Sequence, residues 1–376
     1  MRMNIGPIIT EKRKQKKITQ QELADFLGVS KASVSKWETG QTYPDITSLP
    51  LLAAYFNVSI DSLLGYESQL NQKEIQRIYA SLKGSFETKL AEDVLVSIRS
   101  FIRRYYSCYP FILQMGLLII NHIDRLPGEN LEEKNQNYMN EAKDLFVHVR
   151  THAKDPELIT KAFKMEAYSL FTLKEADQVL EILGEYPPGI FPVESLISGA
   201  FQMKGDTDRA IGTLQSALFQ YIIIVMSAFT NYLQVLIHAP DKFKETVQRG
   251  KAIAETFDLE SLHPVSLMNF QLSAAYGYAQ MKEEDASLSI LEEFTKVIKV
   301  TDFPLVLHGD DYFDQVDDWL NNLDIGNQMP RDSMLVKENF INAVVDNPLF
   351  LNLEEGERFQ QINRQLKCLL EGEEEK

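Results

Sequence analysis

Residues Ile18 to Gly40, ITQQELADFLGVSKASVSKWETG, restrict what this chain can fold into more than any other stretch. Thr19 with Glu22 three residues later is a capping box: each side chain satisfies a backbone N–H that the start of a helix leaves open. Leu23, Ala24 and Leu27 recur at helical spacing and form one apolar face. Gly28 stands where the chain must leave that helix with a positive φ. Ser30 then caps a second helix, from which Val34 and Trp37 point back at the first. The outward face of the second helix carries Lys31, Ala32, Ser33, Ser35 and Lys36. These residues are small or cationic and leave room for a duplex. Two short helices with a tight turn between them make a helix-turn-helix.

The flanking residues extend this unit to five helices. A first helix is expected over roughly 4–17, with Pro7 in its first turn, where a missing N–H costs little. Ile5, Ile8 and Ile9 face inward, and Lys12, Lys14, Lys16 and Lys17 stay solvated. A fourth helix is expected from Thr47, as cap, to Phe56, with Pro50 in its first turn. Leu49, Leu52, Ala53 and Phe56 form its buried stripe. Val58 leads into a short fifth helix, Ser59 to Leu64, closed by Gly65. The expected organisation is a DNA-binding domain over 1–66, a linker over 67–72, a helical domain over 73–370 and an acidic tail over 371–376.

Residues 4–66 resemble the Cro/C1-type (XRE) family of helix-turn-helix domains. The resemblance rests on TQQELA at 19–24, LGVS at 27–30, the V-S-x-W-E-x-G pattern at 34–40, Pro44-Asp45, and YFNVSIDSLLG at 55–65. It implies that Lys31, Ala32, Ser33 and Lys36 face base edges in the major groove. Lys31 and Lys36 are then donors to guanine O6 or N7, Ser33 serves a base or a phosphate, and Ala32 offers its methyl to thymine. Gln20 occupies the position that grips a phosphate with its amide and the helix N-terminus, and Thr39 lies at the other flank. The resemblance also implies that Arg13 pairs with Glu38, the acid after the recognition-helix aromatic. An ion pair bracing two helices is the structural reading of that cation, and direct phosphate contact is the other. For Lys31 and Lys36 the alternative is a solvated face that binds phosphate without sequence preference. Trp37 reads as core.

The chain has 376 residues and a net charge of −16, which looks wrong for a DNA binder until it is divided. Residues 1–66 hold eight Lys/Arg against six Asp/Glu, so this segment is +2 and the remainder is −18. Screening limits the reach of the distant acidic groups to roughly 8–10 Å at physiological salt, so local charge governs DNA affinity. Composition is that of a globular protein, with 44% hydrophobic and 24% charged residues, long enough for two or three domains. Cys108 and Cys368 stand alone, which points away from a disulfide framework or zinc ribbon and towards a reducing compartment. The N-terminal MRMNIGPIITEKRKQKK lacks the apolar core of a signal peptide. A cytoplasmic location is expected.

Beyond residue 71 apolar residues recur at three- and four-residue spacing, broken by Pro, Gly or Asp, and the expectation is helix almost throughout. LKEADQVLEIL at 173–183, KGDTDRAIGTL at 204–214 and MKEEDASLSIL at 281–291 share a grammar around Ala176, Ala210 and Ala286. The first two alanines are 34 residues apart, the period of tetratricopeptide repeats. A small residue at that point lets antiparallel helices approach. The expected fold class is all-α: a five-helix helix-turn-helix domain followed by a TPR-like α-solenoid, with a plain helical bundle as the alternative. The charge-free run 217–237 is long enough to span a bilayer. Its polar interruptions and the lack of a basic flank favour a buried central helix or a subunit interface, and 105–123 is read in the same way.

No catalytic constellation stands out. His148 and His152 share a helix face but lack a third ligand, so exposed surface histidines are expected and no metal site. HGDDYFDQVDD at 308–318 lacks the central glycine of a calcium loop and reads as an acidic helix start. There is no phosphate-binding glycine loop, and no cofactor or enzymatic activity is expected. The expected function is a sequence-specific transcriptional regulator that binds a double-stranded operator as a homodimer. A single domain of this size reads only a few base pairs. Similar regulators with TPR-like bodies accept a short signalling peptide in their concave groove, which implies a short peptide effector at residues the sequence does not identify. The alternative is a protein- or peptide-interaction scaffold tethered to DNA by its head.

Overall fold

A computed structural model describes residues 5–66, 69–189, 191–353 and 356–371. Two compact units emerge: 1–71 together with 99–112, and 72–98 together with 113–376. The first unit therefore takes in a returning segment, 99–112, that the sequence reading placed in the helical body.

In the first unit, α1 (Ile5–Gln15), α2 (Gln20–Leu27), α3 (Lys31–Glu38), α4 (Ser48–Phe56) and α5 (Ile60–Leu64) follow one another with short connections. Each boundary has a local cause. Thr19 accepts from the Glu22 N–H, and the Glu22 carboxylate accepts from the Thr19 N–H at 2.6 Å, so the capping box is complete. Gly28 closes α2 at φ 67°, Ser30 caps α3, Ser59 caps α5, and Gly65 closes α5 at φ 62°. One boundary differs from expectation. Thr47 does not cap α4; its own N–H and hydroxyl are taken up by Asp45 Oδ1, at 2.9 and 2.7 Å. The acid two residues upstream is the better acceptor for a backbone turning into a helix. The five helices enclose a core that includes Ile5, Ile9, Leu23, Leu27, Val34, Trp37, Leu52, Phe56 and Leu63. Within the same unit, Tyr66 donates its hydroxyl to the Arg104 carbonyl, and the Leu70 N–H points at Cys108 Sγ.

The second unit draws on α6 (Gln72–Thr88), α7 (Ala91–Arg104), α8 (Tyr109–Asn121), α9 (Leu131–His152), α10 (Pro156–Thr172), α11 (Ala176–Leu183), α12 (Val193–Met203) and α13 (Thr207–Val235). It continues with α14 (Pro240–Thr256), α15 (Leu259–Leu262), α16 (Pro264–Gln280), α17 (Glu284–Val300), α18 (Asp317–Asn321), α19 (Ser333–Val345) and α20 (Glu357–Glu371). Consecutive helices pair as TPR-like hairpins, α9 with α10, α12 with α13 and α16 with α17. Phe219, Met226, Phe243, Phe270, Phe294 and Phe359 belong to one continuous core under α13 to α20. There α14 and α16 interdigitate reciprocally. A Cβ added to Gly250 would stand 2.2 Å from the Phe270 ring, and one added to Gly277 would stand 2.2 Å from the Phe243 ring.

The repeat exists, but its register is not the one the alanines suggest. The equivalent turn residues are Lys174, Gly205 and Lys282, all left-handed at φ 65°, 76° and 61°. Seven residues before and five after the turn, the paired helices touch. Ser198 donates to the Ala210 carbonyl at 3.0 Å, and Ser287 donates to the Ala275 carbonyl at 3.0 Å. The small residue of close approach is thus Ala210 in one hairpin and Ser287 in another, whereas Ala176 lies exposed at the start of α11.

Two further expectations are corrected. Residues 301–332 are not mainly helical: within them lie only the short α18 and an isolated bridge between Val306 and Gln328. Most of 308–318 is a loop closed by its own carboxylates. Asp310 accepts from the Tyr312 and Phe313 N–H groups and Asp317 from the Gly309 N–H; helix begins only at Asp317. The apolar run in α13 is not a fully buried helix either, since only 33% of its apolar window is buried, and α13 is long and apolar enough to cross a membrane. By contrast α8 is lined with buried residues, Phe111, Ile112, Leu113 and Met115 among them. Residues 372–376 of the acidic end lie outside the described residues.

Candidate nucleic-acid interface and effector cleft

The outward face of α3 is set by what its inward face holds. Val34 is fully buried and Trp37 retains 6% exposure, so the helix cannot roll. Lys31, Ala32, Lys36 and Thr39 are consequently exposed, and Ser33 is half-buried. The Ser30 hydroxyl accepts from the Ser33 N–H at 3.1 Å and lies 2.8 Å from the Ser33 hydroxyl, which fixes the rotamers at the N-terminal turn. Thr39 donates its hydroxyl to the Ser35 carbonyl at 2.9 Å, leaving its oxygen able to accept rather than donate. Gly40 at φ 71° then directs the chain away from the face.

The C-terminal end of α3 is clamped by a polar cluster. Arg13 Nε and Nη2 donate to Glu38 Oε1 and Oε2 at 2.6 and 3.0 Å, and Nη1 donates to the Ile18 carbonyl at 2.9 Å. The two side chains retain only 14% and 6% exposure. Gln20 adds a third donor, its amide Nε2 lying 2.8 Å from Glu38 Oε2. Burial opposes ionisation of Glu38, but the hydrogen bonds from Arg13 and Gln20 and the Arg13 charge outweigh it, so its carboxyl is held below the ordinary value. Arg13 is raised in turn by its hydrogen bond to Glu38. A bidentate fork of this kind fixes orientation as well as charge.

Gly6 escaped the sequence reading. A Cβ there would stand 2.4 Å from the Trp37 carbonyl oxygen and 2.9 Å from that of Glu38, so α1 passes directly against the end of α3. Thr10, whose hydroxyl donates to the Gly6 carbonyl at 3.0 Å, belongs to the same joint. A glycine and a threonine in the first eleven residues of a predicted helix carry no local sign of this role, because its cause lies about thirty residues away.

A helix-turn-helix family profile matches residues 9–63. The HTH-type transcriptional activator BcrR of Enterococcus faecalis is 34% identical over 152 residues, covering 33% of this chain and 74% of the relative. The HTH-type transcriptional regulator AnsR of Bacillus subtilis is 33% identical over 102 residues, 25% of this chain and 87% of that one. The chain belongs to the helix-turn-helix transcriptional regulators. It is a DNA-binding regulator, and the matched helix-turn-helix lies in the head described above. Among solved structures, the apo competence regulator ComR of Streptococcus vestibularis covers 86% of this chain and 98% of its own at 13% identity, with a TM-score of 0.27.

In this regulator the helical body presents a cleft of about 560 Å³ between α12, α13 and residues 315–319. Ile197, Phe201, Ala217, Ile224 and Trp319 line it with apolar surface, and Glu194, Asp208 and Asp318 place carboxylates around it. Arg209, the cation of the cleft, is paired with Asp206 and lies over the Phe201 ring. The Tyr221 hydroxyl is bonded to Glu194 across the hairpin. Among the described residues no three His, Cys, Asp or Glu side chains gather as a metal site. The rings of His148 and His152 do lie 4.6 Å apart on α9, His148 being half-buried.

Proposed function

We propose that this regulator binds its operator as a cytoplasmic homodimer and that a ligand in the body, a short peptide in particular, governs that binding. Residues 1–66 form the head and the helical region from 73 the sensor. Lys31, Ala32, Ser33 and Lys36 meet base edges, Gln20 meets a phosphate on one side, and the Thr39 hydroxyl turns from the Ser35 carbonyl to donate to one on the other. The observation that carries this reading is the locked pose of α3: Val34 and Trp37 anchor one face, and Arg13, Gln20 and Gly6 fix its end. The exposed face is thereby preorganised for a groove.

The effector proposal rests on the cleft beside α13. Its volume lies within the range of about 300–1,000 Å³ typical of ligand pockets. Its apolar floor suits aliphatic or aromatic side chains, and its surplus of carboxylates suits a cationic group on the ligand.

Selection of bound duplexes from a random pool by the full chain tests the operator reading. Enriched inverted repeats with half-site centres one helical turn, about 34 Å, apart are expected. The rival reading, an interaction scaffold tethered by the head, draws on the exposed apolar residues of the α10–α12 region: Phe171, Tyr186, Phe191 and Met203 are 70–91% exposed. A pool that shows no sequence enrichment decides for the scaffold.

A further inference from the structure

Helix α13 has two apolar faces. One, with Phe219, Ile222, Met226 and Leu233, is buried in the core of the body. The second is exposed. At its centre stand Leu218, Tyr221, Val225 and Ala228, and the same alternation of three- and four-residue steps continues to Ile211 and Leu214 on one side and to Tyr232 and Val235 on the other. All eight are exposed, from 37% at Tyr221 to 73% at Val235 among the large residues. A repeat of 3.5 residues held over about 36 Å of helix is the seam of a coiled coil and calls for a helical partner with the same repeat.

We infer that this seam pairs antiparallel with α13 of a second copy of the chain. The inference rests on the homodimeric reading above and names its interface. Charge limits where two copies can meet. Beyond residue 66 the chain is −18, so most surfaces of the body repel a like body, whereas 210–240 is the longest run without Asp, Glu, Lys or Arg. Side-chain size selects the direction. The reversal that places Tyr221 against Val225 of the second copy also places Leu218 against Ala228, Leu214 against Tyr232 and Ile211 against Val235. Large residues then meet smaller ones in the two central layers. A parallel pair would stack Tyr221 on Tyr221 and Ala228 on Ala228, crowding one layer and emptying another. The antiparallel arrangement also opposes the helix dipoles and closes under a twofold axis.

The test is sedimentation equilibrium on the full chain, with circular dichroism to verify that helix content is unchanged. The wild type is expected to be a dimer. Leu218→Glu alone and Ala228→Lys alone are each expected to weaken dimerisation by about a hundredfold, since each buries an unpaired charge. The double variant is expected to recover most of that loss. Its introduced carboxylate at 218 faces the introduced ammonium at 228 of the other copy, twice per dimer, whereas a parallel pair would face like charges. Single variants that disrupt the dimer with no recovery in the double variant overturn the antiparallel pairing. A dimer indifferent to both single substitutions overturns the seam and leaves the homodimer standing. A monomeric wild type overturns both. A monomer that pellets with phosphatidylglycerol–phosphatidylcholine vesicles through Leu218 assigns the face to lipid instead.

Discussion

The Gln20 side-chain amide donates to Glu38 Oε2 at 2.8 Å, tying the mouth of α2 to the end of α3. An amide nitrogen carries two hydrogens, so one holds Glu38 and the other remains for a phosphate. Glu38 thus aims the residue that the family resemblance assigns to the DNA backbone. Gln20→Ala is expected to weaken operator and random duplex alike, by about fivefold, the worth of one hydrogen bond. The salt dependence should not change, because no charge is lost. Lys31→Ala should behave differently, costing about 1–3 kcal/mol on the operator and relaxing preference at one base pair. Fluorescence anisotropy on both duplexes across a salt series separates the two. Equal losses on operator and random DNA for Lys31→Ala would remove it from the base-reading set.

Glu38→Gln leaves the guanidinium of Arg13 largely buried without a counter-charge. A loss of about 3 kcal/mol in head stability is expected. The pH dependence follows from the sign of the shift. The Glu38 carboxyl lies below its ordinary 4.5 in the folded head, so its contribution is fully present above 4.5 and is lost as pH falls through the folded value. The gap between wild type and variant should be flat at neutral pH and close in the acid range. The chain has two tryptophans, Trp37 and Trp319, so urea unfolding in a Trp319→Phe background reports the head alone. A gap that persists unchanged well below pH 4 would show that the carboxylate charge is not what holds α3.

Gly6→Ala places a methyl group 2.4 Å from the Trp37 carbonyl, and backbone rather than a flexible side-chain tip must yield. Overpacking of this kind costs about 1–3 kcal/mol. Ordinarily Gly→Ala inside a helix is stabilising, by about 1 kcal/mol of propensity, so the sign itself is diagnostic. The same Trp37 fluorescence reads it. A stabilised Gly6→Ala head would mean that α1 does not press on α3.

The head was legible from sequence because its determinants are local: a cap three residues from its partner, a glycine at a left-handed turn. Gly6 was not legible, since its reason is a contact made through folding. The hairpins of the body show the same limit. Their shared mark is a left-handed residue at the turn, but glycine occupies only one of the three positions, Gly205, while Lys174 and Lys282 stand in the others. Without that anchor an alignment on the alanines finds the close-approach position at Ala210 but falls one residue short of Ser287 and misses the register at Ala176. In 301–332 carboxylates capping their own loop displaced the expected helix. For α13 the absence of charge was visible, but its division into a core face and an exposed seam emerged only once the core was known.

His122 makes the body sensitive to mild acid. It is 1% exposed, with its ring stacked on Phe86 at 4.7 Å. Nδ1 lies 2.9 Å from the Leu118 carbonyl and so carries the proton of the neutral ring, while Nε2 is buried without a hydrogen-bond partner. Charging the ring would bury an N–H with no acceptor. Burial accordingly pushes the pKa below the ordinary 6.5; the Leu118 carbonyl and Asp124 oppose that shift, and Arg331 and Lys83 add to it. With the folded value depressed, the unfolded chain binds the proton first, and stability is lost as pH falls below 6.5 towards the folded value. The loss can reach about 1.4 kcal/mol per pH unit for one proton. His122→Phe keeps a stacking ring and removes the titration. Urea midpoints followed through Trp319 in a Trp37→Phe background, between pH 7.5 and 5.5, should fall less steeply in that variant. Some slope should remain from His263, which burial also pushes down. Identical slopes in the two proteins would show that His122 takes no part.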